Sequence, residues 1–277
     1  MGENFLAKMH EVTILLYAFC VLLYFIDFLQ NNRKAKQWAA FLLSIIWALQ
    51  TVFFLLYMID IGRFPILTLG EGLYFYVWII ISLTLVFHKY SRIEFLSFFT
   101  SILGFILMVI LTFAPFRWQS EALAQNLASE LLFIHITMSI VAYGAFSLSF
   151  IFSLLYLFQY RLLKKKKWGI QLMRMDNLVK LENMSYILNA LGMPIFLLGV
   201  ILGLQWAYIK IPHLSWFDWK IVGSFMLIGI YGLYLYVKLR KEMAGKSLAF
   251  YNIGAFLFVL INFFLLGKLS AFHFWLQ

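Results

Sequence analysis

Five histidines, one cysteine and nine tryptophans carry most of the chemistry available to this 277-residue chain. The histidines are His10, His88, His135, His213 and His273. Around His213 the chain reads Leu204-Gln-Trp-Ala-Tyr-Ile-Lys-Ile-Pro-His-Leu-Ser-Trp-Phe-Asp-Trp-Lys220, crowding Trp206, Trp216 and Trp219 together with Tyr208, Phe217 and Asp218. Neutral imidazole nitrogens ligate iron axially, and indole faces pack on large flat apolar rings, so this set suits a planar macrocycle such as haem. Hydrolytic chemistry finds no comparable support. Glu71 and Asp218 are single acids, and no Ser–His–Asp or paired-carboxylate spacing is assignable. No phosphate-binding glycine loop appears either, and the chain reads as a non-enzyme. Cys20 stands alone, which excludes a disulfide, a Cys-x-x-Cys pair or a thiolate cluster within one chain.

The elements that must position these residues follow from composition. The chain is 64% apolar, 20% aromatic and only 12% charged, where a soluble domain is about half apolar and about a quarter charged. A disordered chain is excluded by the same numbers. Long apolar runs fall at about 12–30, 37–58, 72–88, 95–115, 131–160, 186–208, 219–237 and 249–272, each near the roughly 20 residues that a spanning helix needs. The expected fold is therefore all-α: a polytopic membrane helical bundle of eight transmembrane helices, forming a single transmembrane domain over residues 1–277. The fifth run is long enough to leave the bilayer as a continuous helix. The first is too long for a cleaved signal peptide and has no small-x-small site after it.

Charge orients the bundle. Alternate connections, containing Arg33 to Lys36, Lys89 with Arg92, Arg161 to Lys180, and Lys238 to Lys246, hold sixteen of the 22 basic residues. Basic residues of short loops stay in the cytoplasm, so those connections face inward and both termini face outward. The net charge of +10 then matches anionic lipid heads rather than nucleic acid. Lys164–Lys167 anchors the fifth helix among them. Two connections carry helical apolar stripes. Leu123, Leu127 and Leu131 follow a potential cap at Ser120, and Leu172, Met175, Leu178 and Leu181 lie beside Lys and Arg; each is an interface helix or packs on the bundle. Asp27 lies near Arg33 and Lys34, which would satisfy it. Gly199-x-x-x-Gly203 reads as a close helix-packing face, and Pro194 as a kink.

With that topology His10, His135, His213 and His273 fall on the outer side and His88 on the inner. His135 opens the fifth helix and His273 closes the eighth, at one depth. Both could ligate one iron if those helices are neighbours. A loop (His213) or a frayed terminus (His10) holds a ring poorly. The candidate site is His135 and His273 as axial ligands, with Trp206, Trp216, Phe217 and Trp219 as platform and Asp218 orienting the loop.

These residues resemble a known family. Trp206-Ala207 … Trp216-Phe217-Asp218-Trp219-Lys220, followed by the helix ending Tyr231-Gly-Leu-Tyr-Leu235, resembles the tryptophan-rich "WWD" segment of the CcsA/CcmC/CcmF cytochrome c assembly, haem-handling membrane proteins. Leu132-Phe-Ile-His-Ile-Thr-Met-Ser-Ile-Val-Ala-Tyr-Gly144 is similar to the family's first outer histidine. Asn262-Phe-Phe-Leu-Leu-Gly-Lys-Leu-Ser-Ala-Phe-His273 is similar to its second, and Pro65-Ile-Leu-Thr-Leu-Gly-Glu71 to its short outer stretch ending in Glu. The likeness runs from about residue 60 onward. It implies a cytochrome c assembly-type fold, haem as cofactor, cytochrome c assembly proteins as partners and a bacterial plasma-membrane location. The length, Met9-His-Glu-Val and Phe25-Ile-Asp-Phe-Leu resemble the branch that accompanies haem-biosynthesis genes in Gram-positive bacteria. That implies a role lowering the level of glutamyl-tRNA reductase, the first enzyme of the pathway. The chain departs from the family where Phe217 precedes Asp218, where Trp219 replaces a proline, and where Tyr236 stands for a membrane-embedded histidine. Two other classes stay open: a small-molecule transporter without haem, to which nearly uncharged helix centres are unsuited, and a scaffold whose segment 161–185 docks a cytoplasmic enzyme.

Overall fold

A computed structural model of the chain describes residues 2–90, 95–113, 129–166, 169, 172, 174, 176–211 and 215–270. Among the described residues there is no strand, and eight helices are long and apolar enough to cross a membrane. They are α1 (Gly2–Gln30), α2 (Arg33–Ile61), α3 (Leu69–Tyr90), α4 (Leu96–Phe113), α5 (Glu130–Lys164), α6 (Leu178–Lys210), α7 (Trp219–Leu239) and α8, which begins as Gly245–Leu260. The eight-helix all-α membrane fold expected from the apolar runs is the fold observed.

Boundaries differ where capping, not apolarity, sets them. α1 begins at Gly2 rather than near residue 12, so His10 sits inside a helix and not in a frayed terminus. Asn31 turns left-handed (φ 55°) after α1, and the Asn32 side chain accepts from the amides of Lys34 and Ala35 to start α2; asparagine suits both positions. α6 starts at Leu178, not near 186, because Asn177 caps it through Lys180 N at 2.7 Å. The stripe from Leu172 to Leu181 is thus not one surface helix. Asp176 and Asn177 interrupt it, and Leu181 is buried in the first turns of α6. The leucine stripe 123–131 lies largely outside the described residues, as does Ser120. Ser129 caps α5, which runs for 35 residues, roughly 52 Å at ~1.5 Å per residue against a hydrocarbon core of ~30 Å. α6 passes through Pro194 without a break.

The chain forms two compact units. The first contains α1–α4 and the described residues around Arg174. Within it, Asp27 is satisfied not by Arg33 or Lys34 but by Arg174, whose Nη2 lies 2.8 Å from Oδ2 while Nη1 donates to the Asp27 carbonyl at 2.9 Å. The Arg174 guanidinium also lies over the Phe95 ring, 4.8 Å from its centroid. At the other end Arg63 grips Glu71 with both nitrogens, at 2.8 and 2.9 Å. Glu71 sits in the first turn of α3, where the helix dipole also favours a carboxylate. Trp47 and Trp78 stack between α2 and α3, their indole N–H groups donating to Ser82 and Thr51.

The second unit contains α5–α8. α5 supplies small and hydroxyl residues (Ala142, Gly144, Ala145, Ser147, Ser149, Ser153) to the interior, which lets neighbours approach closely. Phe146 stacks on Tyr231 at 3.9 Å and Phe150 on Phe256 at 4.4 Å. Asn189 and Asn252 meet at 2.8 Å, and Asn252 also reaches Ser149 and Ser153 at 2.9 Å. Glu182 pairs with Lys238 and accepts from Gly245 N, tying the α7–α8 turn to α6.

Candidate functional site

His135 lies one turn into α5, and α6 is shaped around it. Its Nδ1 lies 2.6 Å from the carbonyl oxygen of Gly199. A carbonyl only accepts, so Nδ1 carries the proton and Nε2 keeps its lone pair in the neutral ring. One turn along α6, Gly203 lies flat against the imidazole. A Cβ there would come within 2.5 Å of His135 Cε1 and Nδ1. The Gly199-x-x-x-Gly203 face is therefore a close-packing face, as the spacing suggests, and what it admits is the imidazole. Fixing one ring nitrogen on a backbone carbonyl so that the other points outward is how proteins prepare a metal-ligating histidine.

Trp206 continues the same face of α6 beyond Gly203. It is 6% exposed, and its indole N–H has no acceptor among the described residues. Trp216, Phe217 and Trp219 are instead on the surface, at 59%, 88% and 57% exposure. Asp218 is buried and accepts from Lys220 N at 2.8 Å, capping α7 and fixing the aromatic turn that precedes it. The candidate platform is thus divided into one interior indole and three exposed rings. His213 and His273 lie outside the described residues. His10 belongs to the first unit, with Nε2 3.2 Å from Thr112 Oγ1. Tyr236 is half exposed beside Arg240.

Two features of this end escape the sequence reading. In α8 the residues Ile261–Leu266 are wound as a π-helix, which frees backbone carbonyls and recurs at functional sites. Lys220 uses one of them: its ammonium donates to the Asn262 carbonyl at 2.9 Å and lies 6.0 Å from the Phe263 ring centre. The Asn262 amide donates in turn to Tyr143 at 3.4 Å. Lys220 also lies within electrostatic reach of His135. A lysine one residue after a tryptophan reads only as an interfacial charge; its inward course is set by the π-turn. Among the described residues no group of three or more His, Cys, Asp or Glu is placed to hold a bare metal ion.

A helical membrane unit with an oriented imidazole and an aromatic rim matches a known class. The model of the cytochrome c assembly protein family matches residues 66–273, and the chain belongs to that family. Within it, the chain is 53% identical over 273 residues to protein HemX of Bacillus subtilis (strain 168), covering 99% of each. It is 42% identical over 267 residues to protein HemX of Brevibacillus brevis, covering 96% of this chain and 97% of that one. It is 27% identical over 234 residues to the cytochrome c biogenesis protein CcsA of Mesostigma viride, covering 75% and 72%.

Proposed function

We propose that this membrane protein binds haem at the outer ends of α5–α8 and acts, as a HemX-like protein, in haem handling and the regulation of haem synthesis. The observation that carries the reading is His135, held through Nδ1 on the Gly199 carbonyl so that Nε2 stays available. His135 and His273 would be the axial ligands. Trp206 would meet the ring inside, and Trp216, Phe217 and Trp219 would cover apolar ring area from the exposed side. Asp218 keeps those rings in place through its cap, and Lys220 offers a positive charge to the ring's carboxylates. Bound there, haem would supply a redox-active iron. The residues present fit it: an imidazole held through Nδ1, which leaves Nε2 as its ligating nitrogen, and a buried indole N–H with no partner among the described residues.

The whole chain would serve as one cytochrome c assembly-type domain in a bacterial plasma membrane, both termini outside. Protein purified from haem-replete cells should show a Soret band that His135→Ala and His273→Ala each weaken. An unchanged spectrum in the double variant removes the ligand assignment. The resemblance to the branch near haem-biosynthesis genes carries the proposal that the protein lowers the level of glutamyl-tRNA reductase. Immunoblots of a deletion strain should then show more reductase, and restoring the gene should reverse it.

A further inference from the structure

One face of α1 is polar from end to end. His10, Thr13, Tyr17, Cys20, Tyr24 and Asp27 are three and four residues apart and share that face. It is the face that α1 buries. Thr13, Tyr17, Cys20, Tyr24 and Asp27 are each at most 3% exposed, while Leu15, Phe19 and Leu22 on the other sides are more than half exposed. A helix that had only to pack would bury small or apolar residues there. From His10 to Asp27 the rise is about 26 Å at ~1.5 Å per residue, close to the ~30 Å hydrocarbon core.

α4 answers with its own line of Ser97, Ser101, Gly104, Met108 and Thr112. The Tyr17 hydroxyl occupies the space that a Cβ on Gly104 would need. Ser101 faces Cys20, and Ser97 faces the Tyr24 hydroxyl. Even so, among the described residues the hydroxyls of Tyr17, Tyr24 and Ser101 have no partner in hydrogen-bonding geometry, nor do Gln50 Oε1, the Tyr74 hydroxyl or His10 Nδ1. So many buried polar atoms in one unit demand polar company. An imidazole stands at each end: His10 beside Thr112 at 3.2 Å, and His88 Nδ1 at 3.3 Å from Ser97 Oγ.

We propose that this face of the first unit is hydrated and conducts protons from one membrane face to the other. Water meeting the unpartnered hydroxyls links His10, Tyr17, Ser101, Tyr24, Ser97 and His88 into one chain. A proton enters at one imidazole, each O–H along the file passes its proton on, and the last is released at the other imidazole. Only N–H and O–H bonds form and break, so no oxidant or reductant takes part. The other titratable or charged groups facing the file are Cys20, Tyr74, Glu11 beside His10, and Asp27, which Arg174 holds as an ion pair. α2 presents Gln50. α1 precedes the segment matched by the family model, and the path does not depend on haem.

The test uses the full chain in phosphatidylethanolamine–phosphatidylglycerol vesicles loaded with a pH-sensitive dye. A potassium gradient with valinomycin drives proton entry. Wild-type vesicles should change internal pH faster than protein-free vesicles. Tyr17→Phe and Tyr24→Phe keep the ring and lose the hydroxyl, and should bring the rate back toward the protein-free value. Tyr208→Phe, exposed on the second unit, should leave it unchanged. A wild-type rate equal to that of empty vesicles, or Tyr17→Phe and Tyr24→Phe rates equal to wild type, overturns the path. Radiolytic hydroxyl labelling checks hydration without relying on variants: Tyr17 and Tyr24 should label despite their burial, and failure to label also overturns it.

Discussion

The space left by two glycines decides how the His135 ring is held. Adding one methyl group at residue 203 drives a Cβ to within 2.5 Å of the imidazole, and α6 offers it no other place. Gly203→Ala should therefore swing the ring off the Gly199 carbonyl and destabilise the protein by roughly 1–3 kcal/mol. Gly229, whose added Cβ would meet nothing within 4 Å, is the matched control. There alanine should be neutral or stabilising by up to ~1 kcal/mol, since it favours the helix. Thermal unfolding in detergent would measure both, and the loss of a slowly exchanging imidazole N–H resonance would report the ring itself. His135 was legible as a candidate ligand from its place at the mouth of an apolar run. The glycine spacing was legible as close packing. What packs there was not, because a one-dimensional spacing does not say which partner helix faces it.

Helix ends obey short-range rules that apolar runs conceal. The eight spans were readable because hydrocarbon demands long uncharged segments. The starts of α1 and α6 were not, since helices continue past the bilayer wherever a cap allows. The pairing of Asp27 was misread for a related reason. Arg33 and Lys34 are its neighbours in sequence, yet Arg174 arrives from the connection after α5 and binds both its carboxylate and its carbonyl. The carboxylate and guanidinium side chains are only 5% and 14% exposed, so the pair behaves as a buried one. Removing Asp27 alone leaves a buried guanidinium uncompensated, and Asp27→Ala should cost about 3–5 kcal/mol. Asp27→Leu combined with Arg174→Met should cost clearly less than either change alone, because no charge is stranded. A loss in the double variant equal to the sum of the two single losses, read from thermal unfolding, would show that the pair is not coupled. The π-turn of α8 had no signal in the residues Ile261–Leu266, whose one polar side chain, Asn262, does not mark a change of helix type, and the inward course of Lys220 was hidden with it.

At the scale of the molecule, everything assigned to the outer mouth rests on which way the bundle sits in the membrane. Sixteen of the 22 basic residues lie in alternate connections, and each basic residue held near anionic lipid heads contributes about 1 kcal/mol. The four loops agree, so each adds to the same expected orientation. Cys20 is buried and is the one cysteine of the chain, which makes single-site labelling direct once it is replaced by alanine. In that background Phe217→Cys, at an 88% exposed position, should react with a membrane-impermeant maleimide on intact cells. Lys165→Cys, just after α5, should react only once the membrane is opened. The reversed pattern would put the aromatic turn, Asp218 and the His135 end of α5 in the cytoplasm. Haem handling at an outer mouth would then be untenable, whereas the hydroxyl file of the first unit, which reaches both faces, would be unaffected. Labelling at both positions from one side would contradict the alternation of loops itself, and with it the single crossing by α6 that separates them.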